Sequence, residues 1–590
     1  MAMQTSSPTM SAKRMFLATV LALAPVGAAL AGDFVFDSTF EEAVEGPFSD
    51  AQAARFLTQT TFGPTLADIK HLRAIGYYAW LNEQYALPAT LHQPYVHAIR
   101  QSGEDVYQNI RREAWWSAVL HGPDQLRQRV AFALSELLVV SDQGGGLDGY
   151  PEALAHYYDL LVQNAFGNYR DLLEQVTLSP VMGHYLSMFK NQKADPAQNI
   201  RPDENYAREI MQLFSIGLVQ LNADGTPALV GGQPVPTYDQ DTISGFARVF
   251  TGWSYPHCDR DPADGTIQWW EWEWCPSGPV EWPDPGWDDY EMVPMVAYAS
   301  YHDSVNSKQL LIYPGEALPG GVLSAGGSAE SDLQAALDNI FNHPNVGPFV
   351  VTRLIKRLVT SNPSPDYVAR VVAVFDNNGL GVRGDLGATV QAILMDPQAR
   401  TLPPASSNAG KLREPLLRKT QLFRVLDANA VDYGRFREWW SNYLGQQPLS
   451  SPSVFNFFLP DYSPTGPLFD LGLSAPEFQI TNDTTVATVA QGLGSEIYWS
   501  WRGQDGELPE DIVMDLSDGM ALANDPVRLV DHYDLLLMNR TMSDFMFNTL
   551  VNHVTNTTHW DGSVDQDALR TRVQDTVWLI FTSPEYVIER

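Results

Sequence analysis

Apolar residues recur at helical spacing along much of the chain. Within residues 126–138 they occupy one face of a helix with 3.6 residues per turn, at positions 126, 130, 133, 134, 137 and 138. The same spacing recurs at 157–165, returns after Asp332, and closes the chain near 526–554 and 565–581. Because each apolar face needs a partner that buries it, the pattern predicts a mainly α fold built as a large multi-helix domain.

Two stretches interrupt this pattern, at about residues 222–300 and 448–480. The first begins with the turn sequence Asn222-Ala-Asp-Gly225, and the Gly-, Pro- and Val-rich residues up to Tyr238 predict a small β-hairpin. It continues into a Trp-rich segment, whereas the second stretch is rich in Pro and aromatic residues. Neither stretch shows the helical spacing of apolar residues. Apart from the hairpin, both are therefore predicted to be irregular insertions.

The N-terminus has the three-part pattern of a cleavable signal peptide. Lys13 and Arg14 precede an apolar run from Met15 to Leu30, and the small-residue triplet at 29–31 predicts cleavage before Gly32. Residues 1–31 are therefore predicted to be a signal peptide and residues 32–48 an acidic leader. Since Lys13 replaces the first arginine of a twin-arginine signal, export before folding and export after folding both remain open.

Later segments are too polar to span a membrane, so no transmembrane anchor is predicted in the mature chain. The chain carries 70 Asp and Glu against 37 Lys and Arg, a formal charge of −33, which becomes −35 without the two basic residues of the signal peptide. Such a chain repels polyphosphate, so nucleic acid is a poor partner. We expect an exported protein, periplasmic or extracellular.

The Trp-rich segment holds the two cysteines of the chain, Cys258 and Cys275. In an oxidising compartment, a disulfide between them is expected to close this loop. Clustered Trp residues among carboxylates are also typical of a carbohydrate-binding surface, because an indole stacks on a sugar face. The alternative is a loop that packs its own indoles on the helices. The candidate binding residues here are Trp269, Trp270 and Trp272.

The densest polar motif lies on a predicted helix after Pro202. Glu204 and Arg208 are four residues apart, as are Asn205 and Glu209, so two polar rows run beside an apolar row. Two carboxylates around an arginine can bind a cation, position a hydroxyl or exchange protons with a substrate. Equally, they can form an ion-pair network that joins two helices.

His302 and Asp303, followed by Lys308, form a second candidate cluster. A histidine beside an aspartate can ligate a divalent metal or act as a base with its orienting acid, so a metal cofactor remains possible but unidentified. Adjacent side chains point apart, and only convergence with the Glu204–Glu209 helix would make a site. The chain lacks the HExxH pattern of zinc proteases and the Gly-x-Ser-x-Gly elbow of serine hydrolases.

Several motifs follow one another in a fixed order from residue 54 to residue 586. They are Ala54-Arg55-Phe56-Leu57, Thr61-Phe62-Gly63-Pro64-Thr65, Arg129 to Leu134, Asn164 to Tyr169, Pro202 to Gly217, Asp224-Gly225-Thr226, Ala247 to Trp253, His302-Asp303, Asp396-Pro397, Pro452-Ser453-Val454-Phe455, Ala475-Pro476-Glu477-Phe478 and Ser583-Pro584-Glu585-Tyr586. Together they resemble the bacterial family called domain of unknown function 1800.

This resemblance implies a large, mostly helical, exported protein with no established activity, often encoded beside a second exported family, domain of unknown function 1501. The length alone suggests about four domains. Because the motifs run from end to end, residues 49–590 are instead expected to form a single helical domain. The Trp-rich segment departs from the common family pattern.

Two functions remain open at this point. The first is an enzyme that acts on a polysaccharide or other polymer, with Glu204, Arg208, Glu209, His302 and Asp303 as its reactive groups. Asn205, Lys308 and the indole of Trp253 would then help to bind the substrate. The second is a non-catalytic envelope or assembly protein, in which the polar helix is a structural network and a protein of the 1501 family is the partner.

Overall fold

Helices make up most of the described chain. The computed structural model describes residues 46–256, 291–404, 407, 409–438, 441–559 and 561–590. Its α-helices are, in chain order, α1 (Asp50–Thr60), α2 (Leu66–Ile75), α3 (Tyr77–Ala86), α4 (Gln93–Gln101), α5 (Gln108–His121), α6 (Gln125–Ser135), α7 (Pro151–Gln163), α8 (Tyr169–Leu178), α9 (Pro180–Tyr185), α10 (Asn205–Gln212), α11 (Gln240–Val249), α12 (Ala329–Phe341), α13 (Val346–Leu358), α14 (Pro365–Asp376), α15 (Leu386–Met395), α16 (Pro397–Arg400), α17 (Pro415–Val425), α18 (Pro467–Asp470), α19 (Asp483–Trp499), α20 (Ser517–Leu522), α21 (Pro526–Met538), α22 (Asp544–Asn556), α23 (Gln566–Phe581) and α24 (Pro584–Val587).

The strands in the described ranges are two residues long and pair only as antiparallel two-stranded ladders. They are β1 (Leu229–Val230) with β2 (Gln233–Pro234), β3 (Trp253–Ser254) with β4 (Val296–Ala297), β5 (Lys308–Gln309) with β6 (Val322–Leu323), β7 (Lys411–Leu412) with β10 (Ile588–Glu589), and β8 (Asn429–Ala430) with β9 (Ile512–Val513). The predicted mainly α fold with a small β-hairpin is therefore confirmed.

Capping side chains fix where many of these helices begin. Ser49 accepts a hydrogen bond from the Gln52 N–H at the start of α1. Thr65 and Asp68 form a capping box at the start of α2, in which each side chain accepts from the other residue's N–H. These caps satisfy backbone donors that have no partner inside the helix.

The apolar faces of the helices meet in one large core. It runs through the described chain from Phe56 in α1 to Tyr586 in α24, so the two ends of the helical region share it. The apolar positions predicted at 126–138 are all buried: Leu126, Val130, Ala133, Leu134, Leu137 and Leu138. Burial on this scale explains why the helices need no long sheet to hold them together.

The second predicted irregular stretch lies against α13. Its only regular elements within 448–480 are the single turn α18 and a 3₁₀ helix, Pro476–Gln479. Lys356 on α13 donates to the Pro460 carbonyl at 2.8 Å, and Asn362 donates to the Ser474 carbonyl at 2.8 Å. Side chains at the end of α13 therefore hold this segment in place through its backbone.

Glu45–Arg590 packs as one unit. The predicted signal peptide at 1–31 and most of the predicted leader at 32–48 lie outside the described residues. Both remain predictions. In the ranges that the structure describes, no helix is both long enough and apolar enough to span a bilayer.

Candidate functional site

Glu204 and Arg208 form an ion pair at the start of α10. Glu204 is the N-cap residue, and its Oε2 lies 2.6 Å from Arg208 Nη2. Gln240 and Ser244, on the neighbouring α11, also donate to the Glu204 carboxylate. Burial alone would raise the pKa of Glu204, but hydrogen bonds from Gln240, Arg208 and Ser244 outweigh it and lower this pKa. The predicted pair thus joins two helices.

Glu209 lies one turn further along α10 and does not share those partners. Its Oε2 is buried and has no hydrogen-bond partner among the described residues. Burial raises the pKa of Glu209, and the Arg208 guanidinium only partly offsets this effect. Asn205 is exposed, and its backbone N–H donates to Asp203 Oδ1 at 2.7 Å. The row of Glu204 and Arg208 is therefore paired with α11, whereas the row of Asn205 and Glu209 is not.

His302 and Lys308 meet at Asp332 in a closed network, whereas the Asp303 carboxylate accepts from Asn306. His302 Nε2 and Lys308 Nζ lie 3.0 and 2.7 Å from the same Asp332 oxygen, Oδ2. The other ring nitrogen of His302, Nδ1, lies 3.0 Å from the Thr251 carbonyl oxygen. All four side chains of the cluster, including Asp303, are almost fully buried. The cluster contributes no accessible reactive group.

The two predicted clusters do not form a common site. Glu204 contacts Gln240 and Ser244, whereas Arg248, further along α11, lies 3.8 Å from Asp303. Gln240 and Arg248 are eight residues apart, which is about 12 Å along a helix. The two clusters therefore lie at different levels of α11, and the convergence that a shared site requires is not seen.

Trp253, in β3, is 3% exposed, and its indole face is not available to a sugar. Its Nε1 has no hydrogen-bond partner among the described residues. The other candidate indoles and the predicted disulfide cannot be compared with the structure, because they lie outside the described residues: Trp269, Trp270, Trp272, Cys258 and Cys275.

An open cleft lies beside α19, away from both predicted clusters. Its volume is about 700 Å³. One face of α19 lines it at helical spacing with Thr488, Gln491, Ser495 and Trp499. The opposite wall is the turn that runs from Gln504 to Met514. We call this space the Lys419 cleft, because the ammonium of Lys419 on α17 lies beneath its floor.

Two glutamates share that ammonium. Lys419 is 0% exposed, and its Nζ lies 2.9 Å from Glu438 Oε1 and 2.7 Å from Glu496 Oε1. The Tyr443 hydroxyl also donates to Glu496 Oε1, at 2.9 Å. The rings of Trp116, Phe423 and Tyr443 lie 5.0 to 5.6 Å from the ammonium. Both glutamates line the cleft above it.

On the floor of the cleft, the pKa values of the Lys419 ammonium and of the Glu496 carboxyl are both raised. Burial alone would lower the pKa of Lys419, but the charges of Glu496 and Glu438 outweigh it, so this pKa is raised and the ammonium is kept. Burial raises the pKa of Glu496 by more than the Lys419 ammonium lowers it. Glu496 Oε2 is buried and has no hydrogen-bond partner among the described residues. The pKa of Glu496 is thus raised although the group lies beside a cation.

A glycine in α19 allows this arrangement. The Tyr443 ring lies directly against Gly492, where a Cβ atom would overlap the ring. Only glycine leaves room for Tyr443 to reach Glu496 from this side. At the rim, Trp499 is 71% exposed beside an acidic turn that contains Asp505, Glu507, Glu510 and Asp511.

Sequence reasoning missed the Lys419 cleft. Lys419, Glu438 and Glu496 belong to three separate segments, and none of them stands in a recognisable motif. A usable signal was present in α19, where polar residues and an exposed tryptophan recur at helical spacing beside a glycine. That pattern is typical of a helix face that lines a cleft.

In the described ranges, no group of three or more His, Cys, Asp or Glu side chains is placed to hold a metal ion. The fold and the cleft define a mainly helical protein with an acidic, tryptophan-rimmed groove. The chain belongs to the family described as Protein of unknown function (DUF1800), whose model matches residues 55–588. No curated protein and no solved structure matches the chain.

Proposed function

We propose that the chain is an exported enzyme that cleaves a neutral or amino-sugar polysaccharide in the Lys419 cleft. One observation carries the proposal: two glutamates share a buried ammonium beneath an open cleft of about 700 Å³. That volume is in the usual range of ligand sites. Export is supported by the signal-peptide pattern of residues 1–31.

The substrate class is inferred from the walls of the cleft. The exposed indole of Trp499 offers a flat apolar face on which a sugar ring can stack. The acidic turn at 505–511 repels polyuronates and other polyanions, but it attracts hydroxyl donors and ammonium groups. Neutral and amino-sugar polymers therefore fit this cleft better than acidic ones.

The proposed chemistry uses the two glutamates in different forms. Glu496 gives its proton to the glycosidic oxygen as the bond between that oxygen and the sugar carbon breaks, and the Glu438 carboxylate bonds to that carbon. Water then adds to the carbon, its proton passes to Glu496, and the bond to Glu438 breaks. Because both carboxylates contact one ammonium, they are closer than the about 6.5–9.5 Å of inverting enzymes, so retention of configuration is expected.

The test is a screen of purified mature protein against soluble polymers, read as the release of reducing ends. We expect release from neutral or amino-sugar polymers and none from polyuronates. Glu496→Gln keeps an acceptor oxygen for Lys419 and Tyr443 but cannot donate the acidic proton, so it should remove the activity while leaving the fold intact. Glu204→Gln is the matched control and should remain active. Wild-type protein that releases no reducing ends from any polymer would reject the proposal.

A second candidate function has its own support. The closed Asp332 network and the Glu204–Arg208 pair are the arrangement expected if the polar helix is structural. The chain would then be a non-catalytic envelope or assembly protein, with an exported protein of the 1501 family as its partner. This candidate predicts a stable complex of the two purified proteins on size-exclusion chromatography and no release of reducing ends.

A further inference from the structure

A second, much smaller cavity lies between α13 and the irregular segment at 448–480. Its volume is about 50 Å³, and its lining includes Glu136, Arg353, Lys356, Arg357, Asn456 and Glu477. Because one water accounts for about 30 Å³ of liquid volume, the cavity has room for one or two waters or a small oxyanion, but not for a sugar ring. It is separate in its lining from the Lys419 cleft.

Three cations reach this cavity from one face of α13. Arg353, Lys356 and Arg357 are related by i, i+3 and i+4 spacing, at which like charges repel. Of these three cations, only Arg357 forms an ion pair with a described residue: its Nε lies 3.4 Å from Glu136 Oε2. Lys356 Nζ is bonded to neutral oxygens instead: the Pro460 carbonyl at 2.8 Å and Ser474 Oγ at 3.4 Å.

Burial is the main cause that lowers the pKa values of Arg353 and Lys356, and nearby carboxylates only partly offset it. Burial lowers the pKa of Lys356 to about 8, and the positive charge of Arg353 adds to this effect. Burial likewise lowers the pKa of Arg353 to about 9, although the Asp461 carboxylate acts in the opposite direction. Neither Arg353 nor Lys356 lies within ion-pair distance of a carboxylate among the described residues.

The cavity is also lined by two buried carboxyl groups, Glu136 and Glu477. Burial raises the pKa of Glu136 to about 8 and the pKa of Glu477 to about 7. A buried carboxyl that holds its proton, such as Glu477 could, can donate a hydrogen bond to an anion. Glu477 Oε2 is fully buried and has no hydrogen-bond partner among the described residues. An oxyanion would accept from this group and from the cations.

The position of the cavity adds a separate argument. Two of the motifs that carry the family resemblance, Pro452 to Phe455 and Ala475 to Phe478, meet at its wall through Val454, Phe455, Pro476 and Glu477. Asn456 has a positive φ of 65° and donates to Glu136 Oε1 at 3.2 Å. An asparagine in this strained conformation must be held by its surroundings, and here it directs its amide at the cavity.

We propose that this cavity binds a small oxyanion, a carboxylate or phosphate group, between Arg353, Lys356 and the Glu477 carboxyl. The anion neutralises the unpaired cations and accepts from Glu477. It would also join α13 to the irregular segment at 448–480, since Lys356 already contacts the backbone of that segment. The proposal is independent of the function proposed for the Lys419 cleft.

The test uses the full mature chain and two probes, inorganic phosphate and acetate, at constant ionic strength with chloride as the balance. Binding is measured by isothermal titration calorimetry and by the shift of the thermal unfolding midpoint. We expect one or both probes to bind and to raise the midpoint. A stronger response to acetate identifies a carboxylate site, and a stronger response to phosphate identifies a phosphate site.

Arg353→Gln and Lys356→Gln should each weaken binding by at least about tenfold, because each removes a cation from a half-buried site. Lys356→Arg keeps the charge and should retain most of the affinity, which separates loss of charge from loss of fold. Arg370→Gln is the matched control, since Arg370 already pairs with Asp396 at 2.7 Å. No response to either probe, or equal responses in wild type and Arg353→Gln, would overturn the proposal.

Discussion

Two buried lysines make the most instructive comparison in this molecule. Lys308 and Lys419 are both 0% exposed, and each ammonium lies 2.7 Å from a carboxylate oxygen. Lys308 shares its single carboxylate, Asp332, with His302 in a closed core. Lys419 holds two carboxylates, Glu438 and Glu496, and both of these line an open cleft.

The two lysines show that the types of residue in a cluster and the position of the cluster relative to a cleft are separate questions. The residues around Lys308 include a histidine and an aspartate, which look more reactive than a lysine with two glutamates. Yet it is the two glutamates of the second cluster that line an open cleft. A buried and fully paired network holds elements together, whereas a partly paired carboxyl under a cleft can exchange a proton with a ligand.

Removal of the shared carboxylate should have the largest effect on stability. Asp332→Ala leaves the Lys308 ammonium and the His302 ring buried without their partner, and breaking a buried pair costs about 3–5 kcal/mol of unfolding free energy. Urea unfolding followed by circular dichroism measures this loss. Activity per folded molecule should not change. A loss below 1 kcal/mol would contradict the structural role given to this network.

A side chain at residue 492 should have an intermediate effect. Gly492→Ala forces a Cβ atom into the Tyr443 ring, and overpacking of this kind costs about 1–3 kcal/mol. The displaced tyrosine would also lose its contact with Glu496, so activity should fall with stability. Gly149→Ala is the control, because a Cβ there meets nothing within 4 Å. Equal unfolding free energies for the two variants would show that Tyr443 does not depend on Gly492.

Loss of the rim tryptophan should change binding but not stability. Trp499→Ala removes an exposed stacking face, worth about 1 kcal/mol or about fivefold in Kd for the polymer. Its unfolding free energy should stay within about 0.5 kcal/mol of wild type, as for other exposed positions. Affinity electrophoresis in a gel that contains the polymer measures the effect. An unchanged mobility shift would remove Trp499 from the binding surface.

The smallest effect is expected at the helix that the sequence singled out. Glu204→Gln breaks a partly exposed ion pair, and such pairs contribute about 0.2–1 kcal/mol. Denaturant unfolding should detect this small loss, while activity should remain that of wild type. If the Glu204→Gln variant is folded but inactive, the active site lies on α10 and not in the Lys419 cleft.

Local patterns in the sequence predicted much of the fold. The spacing of apolar residues at 126–138 predicted a helical face that the structure buries, and the turn after Asn222 predicted the hairpin of β1 and β2. The i, i+4 spacing of Glu204 and Arg208 likewise predicted that these side chains can meet. Each of these predictions depends on residues that are close in the sequence, where helix and turn geometry fix the distances.

The candidate site could not be predicted in the same way. Lys419 on α17 and Glu496 on α19 meet only in the folded chain, and the sequence of neither helix predicts the contact. The partner of His302 could not be predicted for the same reason, since Asp332 comes from α12. Distances between elements depend on the packing of the whole core, which short motifs do not encode.

The most direct test compares Glu496→Gln with Glu209→Gln, two glutamates whose pKa values are both raised by burial. Initial rates of reducing-end release are measured at equal concentrations of folded protein. If the Lys419 cleft is the site, Glu496→Gln loses about 10²–10⁴-fold in rate, as expected for a general acid, and Glu209→Gln keeps the wild-type rate. A wild-type rate in Glu496→Gln, or its loss in Glu209→Gln alone, would contradict the account.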